Sequence, residues 1–262
     1  TYGCFDDYSV SLSGPGGQPL GNTVQAANIG QTLTATVTHL NSGNTCWGLI
    51  SIEDKLPPVL TCSNFAIPCV VSHFEPAYLK NTLGFSQATP QVNENCSGYN
   101  LTFSDFYTDE PCSTQGISAQ LLRVWTAEDA YGNQGNCIQT IQLKRIELDD
   151  IELPSDTAFD CTKPQFIPDS TGTPIVMING IPFSLFPNQS ACELQIVYTD
   201  QFLPVCDGSY KILRTWTLLN WCLPAAPDTN PIFHIQVIKI NDQTAPTFTC
   251  PAHVTVSTDA NT

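Results

Sequence analysis

Cysteine is the residue type that offers this chain most of its chemistry. Its 262 residues include twelve cysteines, and no two have the C-x-x-C spacing typical of zinc or redox sites. In a chain rich in short strands, so many cysteines favour structural disulfides and an oxidising compartment. Aligning the internal repeat described below predicts the pairs Cys4–Cys46, Cys112–Cys137, Cys161–Cys192 and Cys206–Cys222. Four cysteines are then left over, and a bond to residues outside these 262 is one explanation: Cys62, Cys69, Cys96 and Cys250.

Acidic residues at the places where one domain would join the next could hold Ca²⁺. The candidates are the junction acids Glu53, Asp54, Asp149, Asp150 and Asp242, together with Glu128 and Asp129. Ca²⁺ takes about six to eight oxygen ligands, whereas each junction offers only two or three carboxylates and the chain has no EF-hand loop. Bound Ca²⁺ at the junctions is therefore one interpretation, and solvated linker charges are the simpler one. No other cofactor is predicted.

The charge balance excludes nucleic acid as a partner. The net charge is −15, with only nine Lys and Arg residues, and phosphate binding requires basic residues to displace counterions. No stretch reaches the roughly 18 apolar residues of a membrane span. Catalytic motifs such as G-x-S-x-G and H-E-x-x-H do not occur in the sequence. Adjacent acids such as Asp109 and Glu110 would point to opposite faces of a strand, so we expect no enzymatic activity.

One hairpin organises the middle of the chain, and its signature recurs. From Leu121 to Ala127 the residues alternate between two faces, as on a strand, and turn residues at 131–136 precede a second apolar run. The apolar parity changes between Ile138 and Ile141 and again between Leu143 and Ile146, which predicts a bulge or a bend at these places. The Arg-x-Trp-Thr core returns at Arg214, and cysteines recur at a similar spacing, which indicates an internal repeat of roughly 95 residues. That length suits one β-sandwich, so we predict an all-β fold of tandem, antiparallel, immunoglobulin-like sandwiches.

The repeat divides the chain into four units, each followed by an acidic or proline-containing linker. The predicted boundaries are 1–58, 59–153, 154–244 and 245–262. Unit one is short for a sandwich, so we expect it to lack its first strands, and unit four contains only an opening strand. The chain therefore looks like a slice through an array of repeats.

Three segments resemble known extracellular repeats. Residues 241–256, NDQTAPTFTCPAHVTV, resemble the start of a HYR domain, an immunoglobulin-like extracellular module. Residues 123–141, RVWTAEDAYGNQGNCIQTI, resemble a hairpin of the giant repeat-built surface proteins of Bacteroidetes, which include gliding and attachment adhesins. Residues 43–58 are similar to a linker of the same proteins. The resemblance covers all four units but weakens in unit three, where residues 218–222, LLNWC, replace the Asp-x-x-Gly-Asn turn.

The resemblance implies a secreted or surface-anchored structural protein, without enzymatic activity, that forms the stalk or filament of an adhesin. Its partners would be flanking repeats or other copies. One strand pattern near the end of the chain could complete unit one of a neighbouring copy by donor-strand exchange. The residues of that pattern are Thr247, Phe248, Cys250, Val254 and Val256. A covalent tandem array is the alternative way for repeats to join.

Carbohydrate binding is the runner-up function. Arg123 and Trp125, like Arg214 and Trp216, are two positions apart on a strand, so each pair shares one face. Exposed pairs would form an aromatic platform for a sugar, whereas buried pairs would be an Arg packed on a core Trp through cation–π contact. Repetition of the motif in both units favours the buried interpretation.

Attached sugars are also predicted. Asn95, Asn100 and Asn188 match the N-glycosylation sequon. Thr157 and Ser170 match the Asp-Ser/Thr O-glycosylation motif that the Bacteroidetes resemblance implies, and both are expected in exposed, Pro-rich segments.

Overall fold

The computed structural model describes residues 5–161, 164–187, 192–206, 209–242 and 245–253. Its regular structure is almost entirely β, in several sheets, and the predicted fold class of immunoglobulin-like sandwiches is confirmed. Contacts divide the chain into two compact units, Thr1–Arg145 and Ile146–Thr262. The first compact unit holds predicted unit one and most of predicted unit two, whose last residues, 146–153, fall in the second compact unit. In the part of the chain that the structure describes, no helix is long and apolar enough to cross a lipid bilayer.

An N-terminal sheet of four antiparallel strands has the order β2-β1-β3-β4. The strands are β1 (Tyr8–Ser13), β2 (Pro19–Gly21), β3 (Thr32–His39) and β4 (Thr45–Ser51). Threonine and apolar side chains alternate along β3 as predicted, because successive residues of a strand point to opposite faces. On the apolar face Leu12 and Leu33 are buried, whereas Val10 on the same face is 50% exposed. The apolar face is therefore covered at one end only.

The first sandwich follows the N-terminal sheet within the same compact unit. Its larger sheet has the order β6-β10-β9-β8, in which β6 is parallel to β10 and the other pairs are antiparallel. These strands are β6 (Phe65–Pro68), β8 (Tyr99–Asp109), β9 (Ile117–Asp129) and β10 (Gln134–Lys144). A two-stranded sheet of β5 (Val59–Thr61) and β7 (Gln91–Asn93) and the helix α1 (Pro76–Asn81) complete it.

The second sandwich repeats this topology in the second compact unit. Its larger sheet has the order β11-β16-β15-β14, again with one parallel pair, β11 with β16. These strands are β11 (Thr157–Asp160), β14 (Leu194–Cys206), β15 (Ser209–Asn220) and β16 (Ile232–Asn241). A hairpin of β12 (Ile175–Ile178) and β13 (Ile181–Ser184) and the helix α2 (Pro168–Thr171) complete it. Single 3-10 turns also occur at Phe5–Asp7, Ala26–Asn28, Ser86–Ala88 and Leu148–Asp150.

The predicted hairpin of the first sandwich is β9 with β10. Leu121 and Trp125 on β9 are buried, as the alternation predicts. The bulge or bend predicted between Ile138 and Ile141 is wrong, because the ladder runs without interruption from Gln134 to Leu143 and Ile138 simply faces outward, 65% exposed. The one predicted between Leu143 and Ile146 is confirmed by a register shift between Leu143 and Lys144.

The predicted opening strand of unit four does not form in the described part of the chain. Residues 245–253 have no regular structure and are exposed, and Phe248 is 86% exposed. Thr247 and Cys250 lie in this segment. Val254 and Val256, the other members of the predicted exchange strand, lie outside the described residues.

Candidate functional site

Disulfides secure both sandwiches. Six cysteines of the described chain are disulfide-bonded: Cys62, Cys69, Cys112, Cys137, Cys192 and Cys222. Cys62 is bonded to Cys137 across a sequence separation of 75, which ties the start of the first sandwich to β10. The β14–β15 register, extended beyond the pair of Leu194 with Asn220, places Cys192 opposite Cys222. Disulfides of this kind persist in oxidising compartments, which supports a location outside the cytosol.

The predicted disulfide pairs were mostly wrong. Cys137 is bonded to Cys62 and not to Cys112. Cys161 is a free thiol, which contradicts its predicted bond to Cys192. Cys62 meets Cys137 because β6 pairs with β10 in parallel, which brings Cys62, three residues before β6, next to Cys137 on β10. Cysteine spacing does not reveal that pairing.

Each of the other two predicted pairs includes a cysteine whose side chain lies outside the described part of the structure. Cys46 is a free, exposed thiol, and its predicted partner Cys4 lies outside the described residues. Cys222 is disulfide-bonded, and the register favours Cys192 as its partner over the predicted Cys206, whose side chain is not described. The thiols of Cys96 and Cys250 are also free.

The Arg-x-Trp motif lies inside the first sandwich. Arg123 is fully buried and Trp125 is 3% exposed. The guanidinium of Arg123 donates from Nε and Nη2 to both carboxylate oxygens of Asp105 at 2.7 Å, and from Nη2 to the carbonyl oxygen of Phe74 at 2.6 Å. It also lies over the Phe103 ring, 4.4 Å from the ring centroid. The charge is thus paired, hydrogen-bonded and stacked, as a buried arginine requires.

A glutamine completes this interior network. Trp125 Nε1 donates to Gln139 Oε1 at 3.1 Å. Gln139 Nε2 donates in turn to the carbonyl oxygens of Ser63 at 2.8 Å and Gln87 at 2.6 Å. The glutamine therefore joins the core indole to the backbone of two loop segments.

The second sandwich contains the same arginine network. Arg214, 1% exposed, donates to both oxygens of Asp200 at 2.8 Å and to the carbonyl oxygen of Phe166. Its third donor, Nη1, binds the Thr171 hydroxyl at 2.8 Å. The guanidinium lies 4.3 Å from the centroid of the Tyr198 ring. Every element of the first arginine site therefore has a counterpart here.

The glutamine bridge is repeated as well. Trp216 Nε1 donates to Gln236 Oε1 at 3.2 Å. Gln236 Nε2 donates to the carbonyl oxygens of Ser155 at 2.9 Å and Thr171 at 2.7 Å. Trp216 is fully buried. The favoured prediction, that the motif is a core element in both sandwiches, is confirmed, and the alternative of a sugar platform is wrong because neither indole can reach a ligand.

The linker before the first sandwich is held against the β9–β10 turn. Asn133 Nδ2 donates to the Asp54 carbonyl oxygen at 3.2 Å. Gly135 lies so close to the linker that a Cβ atom there would be 1.9 Å from the Pro58 carbonyl oxygen. This close approach requires glycine, and it places residues 54–58 directly on the hairpin.

Only one of the predicted Ca²⁺ ligands joins a cluster in the described residues. Asp54 is 8% exposed and has one carboxylate oxygen within 4.8 Å of ligand atoms of Glu94 and Cys96. Asp149, Asp150 and Asp242 are exposed and belong to no such cluster. Sequence reasoning missed Glu94 and Cys96, because they lie in the loop after β7 and no spacing connects them with Asp54.

Asp129 adds a third carboxylate next to this cluster. Its Oδ1 accepts hydrogen bonds from the backbone amides of Tyr131 and Asn133, both at 2.8 Å, and its Oδ2 accepts from Asn133 Nδ2 at 2.7 Å. Burial alone would raise the pKa of Asp129, but these hydrogen bonds outweigh it and hold the pKa below its ordinary value of 3.8. Asp129 is therefore ionised at neutral pH.

The predicted glycosylation sites differ in accessibility. Asn95 and Asn100 are exposed, the second on β8. Asn188 lies outside the described residues. Thr157 and Ser170 were expected in exposed, Pro-rich segments, but both are half-buried, in β11 and α2 respectively. Hydrogen bonding in these elements makes their backbone less open to a modifying enzyme than predicted.

The N-terminal sheet offers the most open surface. Every residue of its edge strand β4 is exposed, and Trp47 and Leu49 are 71% and 66% exposed. Tyr8, His39 and Cys46 line a depression at the uncovered end of the sheet. An exposed, apolar edge strand is a template for pairing with another strand.

Comparison with known proteins adds little to this description. No family model and no curated protein matches the chain. Among solved structures, extracellular cadherin domains 1–4 of protocadherin gamma B7 match 89% of this chain and 66% of theirs, at 13% identity and a TM-score of 0.27. Human CDH23 EC21-23 matches 90% of this chain and 88% of its own, at 9% identity and a TM-score of 0.26. Similarity this weak implies nothing about function, and the chain is defined by its own repeated sandwiches and their disulfides.

Proposed function

We propose that this chain is a non-enzymatic, extracellular structural segment, part of the stalk or filament of a cell-surface adhesin of the repeat-built Bacteroidetes type. The observation that carries the proposal is the repeated interior network. The Arg–Asp pair and the Trp–Gln bridge recur in consecutive sandwiches, and in both they are buried where they can only support the fold. A protein selected for ligand chemistry would keep such groups accessible, whereas a mechanical array repeats its scaffold.

Disulfides support the same function. The Cys62–Cys137 bond joins the first strands of a sandwich to its last long strand. Under tension, the covalent bond keeps the residues between these cysteines from extending. A stalk outside the cell benefits from such bonds because no chaperone refolds its modules there.

Single-molecule pulling of the whole chain tests the mechanical role. We expect discrete unfolding events, with the extension of the first sandwich shortened by the disulfide. Reduction should then lengthen that event by about 260 Å, since a separation of 75 residues extends by roughly 3.5 Å per residue. Gradual extension without discrete events would contradict a role as a stalk.

Surface labelling tests the location. An antibody raised against the folded chain should label intact cells of the organism that produces it. Labelling that appears only after permeabilisation would contradict an extracellular function.

The open N-terminal sheet is the proposed place for one copy to join another. Its apolar face is uncovered at the Tyr8 end, and β4 presents an unpaired edge that a donated strand could extend. The exposed segment 245–253, with the residues that follow, is the proposed donor.

A peptide competition experiment tests strand donation. A peptide of residues 245–256 carrying Cys250→Ser should bind the chain and protect the exposed thiol of Cys46 from alkylation. A scrambled peptide of the same composition is the control. Equal alkylation of Cys46 with both peptides would contradict strand exchange and leave the covalent array as the way in which repeats join.

A further inference from the structure

A group of acidic side chains, of which Asp54 is buried and Glu94 is half-buried, lies where the linker meets the first sandwich. Asp54 comes from the linker, and Glu94 and Cys96 come from the loop after β7. One carboxylate oxygen from each acid and the Cys96 Sγ all lie within 4.8 Å of one another. Asp54 is 8% exposed, so its charge has little access to water.

Each of the two carboxylates has one oxygen bound and one oxygen free. Asp54 Oδ1 accepts from the Leu56 amide at 3.1 Å, and Glu94 Oε1 accepts from the amides of Cys96 at 2.8 Å and Ser97 at 3.2 Å. Asp54 Oδ2 and Glu94 Oε2 are buried without a hydrogen-bond donor. Leaving two buried carboxylate oxygens without a hydrogen-bond partner is costly, and a bound cation would offset that cost.

The charge around the group is negative and not neutralised by the chain. Asp129, 5% exposed, is near enough to act electrostatically on Cys96. In the described residues, no ion pair involves Asp54, Glu94 or Asp129. A cation at this position would be attracted by the surrounding carboxylates and could take the Cys96 thiolate as a ligand.

We propose that Asp54, Glu94 and Cys96 form a binding site for a divalent cation that fastens the linker to the first sandwich. Donor atoms bound to one Ca²⁺ at about 2.3–2.6 Å are at most about 5 Å apart, and those bound to Zn²⁺ are closer. Ca²⁺ would use the carboxylates with further carbonyl and water oxygens. Zn²⁺ would use the same carboxylates and the Cys96 thiolate.

Binding would hold the N-terminal sheet in a fixed relation to the first sandwich. Asp54 is on the linker side, Glu94 is on the sandwich side, and Asn133 already joins the two through the Asp54 carbonyl group. The inference goes beyond the proposed function and does not require it, because an isolated metal site could serve any protein that needs a stiff junction.

Titration calorimetry of the oxidised, EDTA-treated whole chain tests the site, with CaCl₂ and ZnCl₂ in separate experiments. We expect one of the two metals to bind with a stoichiometry of one. Asp54→Asn and Glu94→Gln should weaken that binding by about tenfold or more, a factor that even outer-shell changes reach in metal sites. Asp149→Asn, which removes an exposed acid of another linker, is the matched control and should leave binding unchanged.

Two cysteine variants, one at the site and one elsewhere, identify the metal. Cys96→Ser should abolish Zn²⁺ binding if the thiolate is a ligand, and should leave Ca²⁺ binding nearly unchanged if only oxygens bind. Cys46→Ser, which removes an exposed free thiol elsewhere, is the control for adventitious Zn²⁺. Either metal supports the proposal, provided that Asp54→Asn and Glu94→Gln weaken its binding.

Tryptic cleavage after Lys55 gives a second measurement that does not depend on affinity. Lys55 directly follows Asp54 and is exposed, so the bound metal should slow its cleavage in the native chain and have no such effect in Asp54→Asn. Circular dichroism shows whether each variant folds. Absence of binding of both metals to the folded chain, or binding that neither acidic variant weakens, would overturn the proposal without touching the stalk function.

Discussion

The two sandwiches contain the same interior hydrogen-bond network and differ in one contact made by the last strand of the larger sheet. Cys137 lies opposite Trp125 in the first ladder, and His234 lies opposite Trp216 in the second, so these two residues occupy equivalent positions. In the first sandwich Cys137 is bonded to Cys62. In the second, His234 Nε2 is 2.8 Å from the Pro154 carbonyl oxygen. A covalent bond in one repeat is replaced by a hydrogen bond in the other.

The interior network, by contrast, is the same in both. Removing any one member of a buried polar network leaves its partner unsatisfied, so the members can change only together. The edge contact between the first strand and the last is half-buried and less constrained. The comparison indicates that the arginine network defines this module and that the disulfide is an addition to it.

The equivalence also corrects the cysteine alignment on which the predicted pairs rested. Cys69 donates its amide to the Lys144 carbonyl oxygen, and Cys161 donates to that of Asn241, at the same place in each ladder. Cys161 therefore corresponds to Cys69 and not to Cys62. Loops of unequal length change the spacing of the cysteines between the two repeats, so spacing in sequence did not identify the equivalent cysteines.

Removing the Cys62–Cys137 disulfide should cause the largest change in stability of one sandwich relative to the other. Cys62→Ala with Cys137→Ala should lower the free energy of unfolding of the first sandwich by about 4 kcal/mol, because the bond closes a long loop in the unfolded chain. The second sandwich should not change. Chemical denaturation followed by hydrogen exchange in each sandwich measures both effects. The converse variant, Pro154→Cys with His234→Cys, should stabilise the second sandwich under oxidising conditions.

Breaking the arginine network should affect both sandwiches equally. Asp105→Asn and Asp200→Asn each leave a fully buried guanidinium without its counterion. Each should therefore lower the free energy of unfolding of its own sandwich by about 3 kcal/mol. Denaturant unfolding of each variant measures the loss. Glu53→Gln, which breaks an exposed ion pair with Lys55, is the control and should have no measurable effect. A large effect in one sandwich only would contradict the equivalence of the networks.

Adding a side chain at Gly135, where the linker packs on the hairpin, should destabilise the first sandwich alone. Gly135→Ala would place a methyl group against the Pro58 carbonyl oxygen, and the displacement should cost about 2 kcal/mol. The second ladder has Ile232 at the equivalent position, so its strand has no such close approach. Thermal unfolding and tryptic cleavage after Lys55 report the loss of the contact. Gly48→Ala, where a Cβ meets no atom within 4 Å, is the matched control.

One hydrogen bond distinguishes the two arginines. Arg214 Nη1 binds the Thr171 hydroxyl, whereas Arg123 Nη1 is buried without an acceptor. Thr171→Val keeps the shape of the side chain but removes the hydrogen-bond acceptor. It should lower the free energy of unfolding of the second sandwich by about 1 kcal/mol or somewhat more. Equilibrium unfolding of the second sandwich measures it. An unchanged free energy would mean that the first sandwich loses nothing by lacking this bond.

The smallest predicted difference depends on pH. Asp129 and Asn220 hold equivalent turns, since each accepts a backbone amide two residues later, from Tyr131 and Cys222 respectively. The folded pKa of Asp129 lies below its ordinary value of 3.8. Its stabilising effect is therefore complete above that value and is lost as the pH falls through the lower, folded pKa. Unfolding curves between neutral and strongly acidic pH should show this loss, and Asp129→Asn should remove it.

Sequence alone determined the local features of the fold. The alternation from Leu121 to Ala127, the repeated Arg-x-Trp strand and the threonine pattern of β3 predicted strands and their buried faces correctly. These features depend on the geometry of a single strand, whose side chains alternate whatever it pairs with. The repeat length then predicted the sandwich, because one module of this kind needs about that many residues.

Tertiary structure decided which residues meet. The parallel pairing of β6 with β10 chose Cys62 as the partner of Cys137. Packing of the linker on the hairpin brought Asp54 to Glu94 and Cys96. The sequence favoured a buried arginine–tryptophan motif, and only the fold chose its partners, the aspartates and glutamines of neighbouring strands. Such contacts join residues far apart in the chain, and loop lengths and register set them, which no local pattern encodes.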